Sequence, residues 1–144
     1  DTVINKWYYG GFSLRMAKGR ENWSFLDVNG VCGSTHVRQQ SNHLLSRDPS
    51  PWAAFVEHKH VPTQGIAILD HCSNPYHPVR WLLLPHMPFM GPVFHYGRDI
   101  QVNQGDSLKL RYQIVTFANQ NAAQYLNAKQ QEFNLQNSEQ RKDN

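Results

Sequence analysis

A chain of 144 residues is long enough for one domain with a proper core. Only 17% of its residues are charged while 12% are aromatic, a balance that suits a β-rich body with sticky faces. The net charge of +3 is thinly spread, with a tight basic pair only at Arg141-Lys142, which argues against a nucleic-acid-binding stripe. No apolar run approaches the ~18 residues needed to span a bilayer, and Trp81-Leu82-Leu83-Leu84 stops at Pro85.

The chain begins at Asp1 with neither a Met nor a signal peptide, so it reads as mature, processed, or part of something longer. Trp7-Tyr8-Tyr9 before Gly10-Gly11 reads as a strand with a break. Phe12 to Ala17 alternates apolar and polar residues, the mark of a half-buried strand. Trp23 to Val28 is a second short strand, closed by the turn signal Asn29-Gly30. Thr35 to Pro51 is polar and poorly patterned, and is expected to form a long surface loop. Strand character resumes at Trp52–His60, with Thr63–Leu69 as the expected partner. Pro92–Tyr96 and Ile100–Val102 follow. Leu108–Val115 is the cleanest alternation in the chain and predicts a central strand with Leu110 and Tyr112 buried. From Asn121 to Leu135 the pattern becomes that of one amphipathic helix, with Asn119 or Asn121 as N-cap. Residues 1–136 therefore read as a single β-rich domain, and 137–144 as a polar tail that frays or is disordered.

Cys32 and Cys72 could pair in an oxidising compartment or both be free, and neither belongs to a CxxC motif. The chemistry concentrates elsewhere, in Asp70-His71-Cys72-Ser73-Asn74-Pro75-Tyr76-His77-Pro78-Val79-Arg80-Trp81. The apolar run Gly65–Leu69 delivers this segment to the rim of a sheet. Its prolines and the Asn-Pro step forbid a helix and stiffen the loop. Convergent polar groups on a rigid loop at a strand end are suited to binding and catalysis. The alternative is a proline-rich corner whose polar groups satisfy their own backbone. In either case the Asp70 carboxylate is expected to bond main-chain N–H groups or an arginine.

Two further constellations stand out. His58 and His60 share one side of a strand, so both imidazoles could hold a metal, with His71 or His77 as third ligand. The competing reading is a pair of solvent-facing histidines. Arg15 and Arg111 lie mid-strand among apolar neighbours, where an arginine either snorkels to water or meets a carboxylate or anionic ligand.

Three ordered blocks resemble one bacterial family, the soluble proteins labelled "methane oxygenase PmoA-like". The blocks are Tyr9-Gly10-Gly11-Phe12-Ser13-Leu14-Arg15, Gly65 through Pro78, and Gly105-Asp106-Ser107-Leu108-Lys109-Leu110-Arg111-Tyr112. Cys72 stands where the family pattern has Pro, and Tyr76 where it has Arg. The resemblance covers the second half of a typical member. It implies an antiparallel β-sandwich of the sugar-mutarotase type, carbohydrate-related chemistry, and a chain that is a fragment or one subunit of a split protein.

The expectation is a mainly β protein, an antiparallel sandwich or half of a larger one, with one C-terminal helix. The first functional reading is a carbohydrate-related binding or processing domain, of hydrolase or isomerase type if an enzyme. His71, His77 and Asp70 would be its catalytic groups, and Asn74, Trp81, Arg15 and Arg111 its substrate-binding groups. Trp81 would act as a platform for a sugar ring. The second reading is a structural or assembly subunit, completed by another chain or by a second copy. The third is the His58/His60 metal domain. No cofactor is called for, and a carbohydrate or other polar small molecule is the expected ligand.

Overall fold

In the computed structural model, residues 2–4, 11–17, 23–31, 37–40, 43–46, 48–57, 59, 61–84 and 89–136 are described. Among them the strands are β1 (Thr2–Ile4), β2 (Leu14–Arg15), β3 (Ser24–Asp27), β4 (Gly30–Val31), β5 (Val37–Gln40) and β6 (His43–Ser46). They continue with β7 (Trp52–Glu57), β8 (Thr63–Asp70), β9 (Arg80–Leu84), β10 (Phe89–Val93), β11 (Ile100–Val102) and β12 (Tyr112–Asn119), and the chain then forms helix α1 (Ala122–Leu135). One five-stranded sheet runs β12-β8-β7-β3-β4 and a second runs β2-β10-β9-β6-β5, with every pairing antiparallel. β1 and β11 form a separate two-stranded ribbon.

The first sheet is the middle layer of three. One face presents Ala53, Phe55 and Ile68 to Trp81, Leu83 and Met90 of the second sheet and to Val79 just before β9. The other presents Trp52, Ala54, Val56, Ala67 and Leu69 to Ala122, Leu126 and Phe133 of α1. A strand covered on both faces needs no polar alternation. That is why Trp52-Ala53-Ala54-Phe55-Val56 and Ile66-Ala67-Ile68-Leu69 read as continuous apolar runs. The mainly β class, the two-sheet sandwich and the single C-terminal helix agree with the sequence reading. Both sheets are built from this chain.

The helix starts where expected. The Asn121 Oδ1 accepts the Gln124 N–H at 3.1 Å, capping one of the orphan N–H groups of the first turn. The Trp52 indole N–H donates to the Asn127 Oδ1 at 2.8 Å, tying α1 to β7.

Two expectations fail. Thr35–Pro51 is not one long loop, because β5 and β6 pair within it and Leu44-Leu45 pairs with Leu83-Leu82 of β9. Those pairings are long-range and leave little local pattern. Nor is Leu108–Val115 a central strand. β12 begins only at Tyr112, and among the described residues it forms the edge of its sheet. Leu108, Leu110 and Tyr112 are half-buried against the inter-sheet core. Ile114 is 49% exposed, and Val115 and Phe117 turn to the helix side. Beyond Tyr112, whose ring stacks on Phe12 at 5.0 Å, this face is exposed at Ile114 and Thr116, whereas α1 covers the other face, so the same alternation serves two different surroundings. The tail from 137 to 144 and the strand expected at 7–9 lie outside the described residues.

Candidate functional site at the end of the central sheet

Asp70 closes β8 opposite Tyr112 of β12, at the point where the chain leaves the sheet. It is fully buried. Its Oδ2 accepts the His77 Nδ1–H at 2.7 Å, and its Oδ1 accepts the Asn74 amide at 2.8 Å. Its main-chain N–H donates to the Pro51 carbonyl at 2.8 Å, and its own carbonyl accepts the Gln130 amide at 2.8 Å. A buried carboxylate is tolerated only when it is bonded this completely.

The loop is wound around that anchor. Asn74 behaves as a surrogate strand residue: its Nδ2 donates to the Arg111 carbonyl and its Oδ1 accepts the Arg111 N–H, each at 2.7 Å. The His71 N–H also donates to the Arg111 carbonyl, at 3.2 Å, and two turns follow, Asn74 N–H to His71 O and His77 N–H to Asn74 O. His77 is thereby delivered back over Asp70, with 18% of its side chain exposed.

His71 has a different task. Its Nδ1 accepts the Ser73 N–H at 3.0 Å and the Ser73 hydroxyl at 2.8 Å, so its proton sits on Nε2. It bonds the main chain of Phe133, in the last turn of α1, and its ring stands edge-on to the Phe133 ring at 4.8 Å. Burial, then the nearby Arg111 charge, lower its pKa from the ordinary 6.5, and the bond to Phe133 offsets only part of this. His71 is therefore a neutral cap on a helix end. In the unfolded chain it binds its proton at higher pH than in the fold. Stability contributed by the neutral form is thus present above about 6.5 and is lost as the pH falls below that value. Denaturant midpoints should drop between pH 7.5 and pH 5, and His71→Gln should flatten that dependence. An unchanged slope in the variant would remove His71 from this role.

The helix end holds the loop at two more points. Gln130, buried, also donates to the Asn134 Oδ1 at 3.0 Å, and Asn134 accepts the Cys72 N–H at 3.1 Å. Neither residue was singled out from sequence. The available signal was Gln130 itself, a polar residue on the buried stripe Ala122, Leu126, Gln130, Phe133. Cys72 carries a free, exposed thiol, and Cys32 lies outside the described residues.

Beside the loop lies a cleft of about 120 Å³, lined by Pro49, Tyr76, Pro78, Val79, Arg80, Val93, Phe94, Tyr96 and Arg98. Tyr76 and Pro78, which bracket His77 in sequence, supply one wall. Tyr76 has φ 62°, a left-handed conformation unusual for a non-glycine residue. The Arg98 guanidinium lies 4.5 Å from the centre of the Tyr76 ring, and that of Arg80 lies 5.2 Å from the Tyr96 ring. Arg80 also donates to the Ser46 carbonyl at 3.2 Å. Tyr96 and Arg98 were missed from sequence because they arrive on the turn after β10, distant from the loop along the chain.

The structure thus brings Asp70, His71, Asn74 and His77 together, with Arg111 joined to them through its main chain. Trp81 is not an open platform. It is fully buried in the inter-sheet core, its indole N–H donating to the Ser50 carbonyl at 2.9 Å. A strand alternation places it inward, while its neighbours Arg80 and Leu82 take the other face. Arg15 is exposed on β2 of the second sheet, opposite Phe89. His58 and His60 lie outside the described residues, among which no group of three or more His, Cys, Asp and Glu side chains is placed to hold a metal.

Fold and loop together define an antiparallel β-sandwich domain with an aspartate–histidine pair at the end of its central sheet. Over residues 1–131 the chain matches the model of a family of unknown function, DUF6807, and it belongs to that family. No curated protein and no solved structure matches it.

Proposed function

We propose that this is a carbohydrate-binding or carbohydrate-processing domain, with its site formed by the Asp70–Arg80 loop and the adjoining cleft. One observation carries the reading: a fully buried carboxylate, fixed by Asn74, holds a partly exposed imidazole at 2.7 Å. In that geometry Asp70 orients the His77 ring through Nδ1, leaving Nε2 as the nitrogen able to exchange a proton with a ligand. The aromatic and arginine walls of the cleft offer stacking faces and fixed donors beside it. The motif blocks shared with the PmoA-like proteins support the carbohydrate class. Calorimetric titration with a panel of monosaccharides and short oligosaccharides tests the proposal. A sugar should bind, and His77→Gln should weaken binding or turnover without a matching loss of thermal stability. If no sugar binds, or the variant only unfolds more easily, the carbohydrate reading falls.

A second reading, an assembly module completed by another chain, is favoured by β12. It runs eight residues along the edge of the central sheet, with Ile114 half-exposed. Such an edge is a template for pairing. In this reading the isolated chain associates in solution, and Ile114→Lys lowers its mass in sedimentation experiments. A strictly monomeric chain with one sharp unfolding transition contradicts it.

A further inference from the structure

We infer that His71 is a proton-operated latch between α1 and the Asp70–His77 loop. Acid swings His71-Cys72-Ser73 outward and frees the last turn of α1, while Asp70, Asn74 and both sheets stay in place.

The first support is the bonding of the ring. The His71 Nδ1 faces the Ser73 N–H at 3.0 Å and the Ser73 hydroxyl at 2.8 Å. The hydroxyl can turn round and accept, but a main-chain N–H only donates. A proton on Nδ1 therefore sets two donors against each other. Nε2 is already engaged with the main chain of Phe133, and the ring is buried from bulk water. The closed loop thus accepts the neutral ring and has no bond for the added proton.

The second support is charge. The titratable groups that face the ring are Arg111 before β12, His77 of the same loop and Asp70 of β8. Arg111 opposes a positive charge on His71. Asp70 favours one, but its carboxylate is already bonded to Asn74 and His77. The Cys72 Sγ lies 4.0 Å from Nδ1. From α1 come Gln130, Phe133 and Asn134, none of which titrates, and Lys129 and Glu132 pair with each other at 2.6 Å on the surface.

The third support is the boundary of what moves. Asp70 is fixed independently of the His71 ring, by the Pro51 carbonyl and the Gln130 amide. Asn74 is fixed by its side chain on the Arg111 main chain. Between these anchors the swing breaks the bonds of Cys72 N–H to Asn134, Ser73 N–H to His71 Nδ1, and Asn74 N–H to the His71 carbonyl. Among the described residues, none from 71 to 78 belongs to the two clusters that join the three layers. Opening here exposes little apolar surface, the condition for a local transition.

In the open loop His71 titrates as an ordinary histidine, near 6.5, while the closed loop keeps it neutral. Closure is therefore complete above that value and weakens below it. The open population should rise about thirtyfold between pH 7.5 and pH 5.

Native-state hydrogen exchange of the intact chain, corrected for the intrinsic pH dependence of exchange, tests this. The Cys72, Ser73 and Asn74 amides should show that rise. The Arg111 amide, which donates to Asn74, and the amides of β8 should stay more strongly protected than the loop at both pH values. His71→Gln keeps one donor and one acceptor but does not titrate, and should abolish the rise, whereas His77→Gln should keep it. No rise in the parent overturns the latch. Equal protection of Ser73 and Arg111 at pH 5 overturns it too, because loop and anchor then open together. A rise that survives in His71→Gln, or is lost in His77→Gln, places the proton on another group and overturns it. The His71 ring nitrogens give a reading that needs no variant. A ring fully protonated at pH 5 with the Ser73 amide still protected would contradict the latch.

Discussion

Replacing Trp81 with alanine is expected to destabilise the domain by about 3–5 kcal/mol, the usual cost of truncating a large aromatic in a packed core. The side chain is fully buried between the two sheets among Ala53, Ile68, Val79 and Met90. Its loss would also leave the Ser50 carbonyl without the indole N–H at 2.9 Å. Ser50 and Ser46 make the site sensitive for another reason. The Trp81 N–H donates to the Ser46 hydroxyl at 2.8 Å, and Ser50 pairs across to Val79. Trp81 thus joins β9 to the segment that enters β7, and a cavity there loosens both sheets. Chemical denaturation of Trp81→Ala against the parent chain measures the effect. A loss below about 1 kcal/mol would mean that the indole is not in the core, and the sandwich register would have to be redrawn.

The second large effect is expected at Asp70. Asp70→Ala removes acceptors from the Asn74 amide and from His77 Nδ1 inside a closed loop. Two hydrogen bonds to a buried charged group, with donors left behind, amount to roughly 3 kcal/mol. His77→Gln should cost markedly less, because the His77 ring is partly exposed and its amide replacement can still donate to Asp70. This contrast separates the two carboxylate roles. If Asp70 only locks a corner, the two variants should lose stability together and neither should alter ligand binding. If it also orients His77, His77→Gln should lose binding or turnover while retaining most of the stability.

Much of the fold was legible in the chain. The apolar runs at Trp52–Val56 and Ile66–Leu69 read as strands, and Asn119 or Asn121 as the start of the helix; that both faces of those strands are covered is seen only in the structure. The polar β5–β6 hairpin was not legible, because its pairing with β9 is set by residues almost forty positions away. The strand after Leu108 misled for a related reason. Its alternation is real, but which face is covered depends on what packs against it, and local pattern does not carry that information.

The crowded Asp70–His77 loop was legible in sequence, and its geometry was not. Asp70, His71, Asn74 and His77 share one loop, as their crowding suggested. The partner of Asp70 is His77, seven residues on, rather than the adjacent His71, because neighbours in an extended chain point to opposite sides. His71 instead serves the helix end. Trp81 looked like a platform because an indole beside polar residues suits a sugar. Its place in the period-two pattern of β9 turns it inward. The walls of the cleft, Tyr96 and Arg98, come from a turn that sequence alone does not bring to the loop.

The most direct measurement of the central arrangement is the tautomer of His77, read from long-range ¹⁵N–¹H correlations of its imidazole at pH 8, above the ordinary histidine range. With the Asp70 carboxylate 2.7 Å from Nδ1, the neutral ring should carry its proton on Nδ1, leaving Nε2 as the acceptor. Asp70→Asn should shift the balance toward the Nε2–H form. A parent His77 whose neutral ring carries its proton on Nε2, with Nδ1 bare, would contradict the Asp70–His77 pair, and the proposed proton-transfer site would go with it.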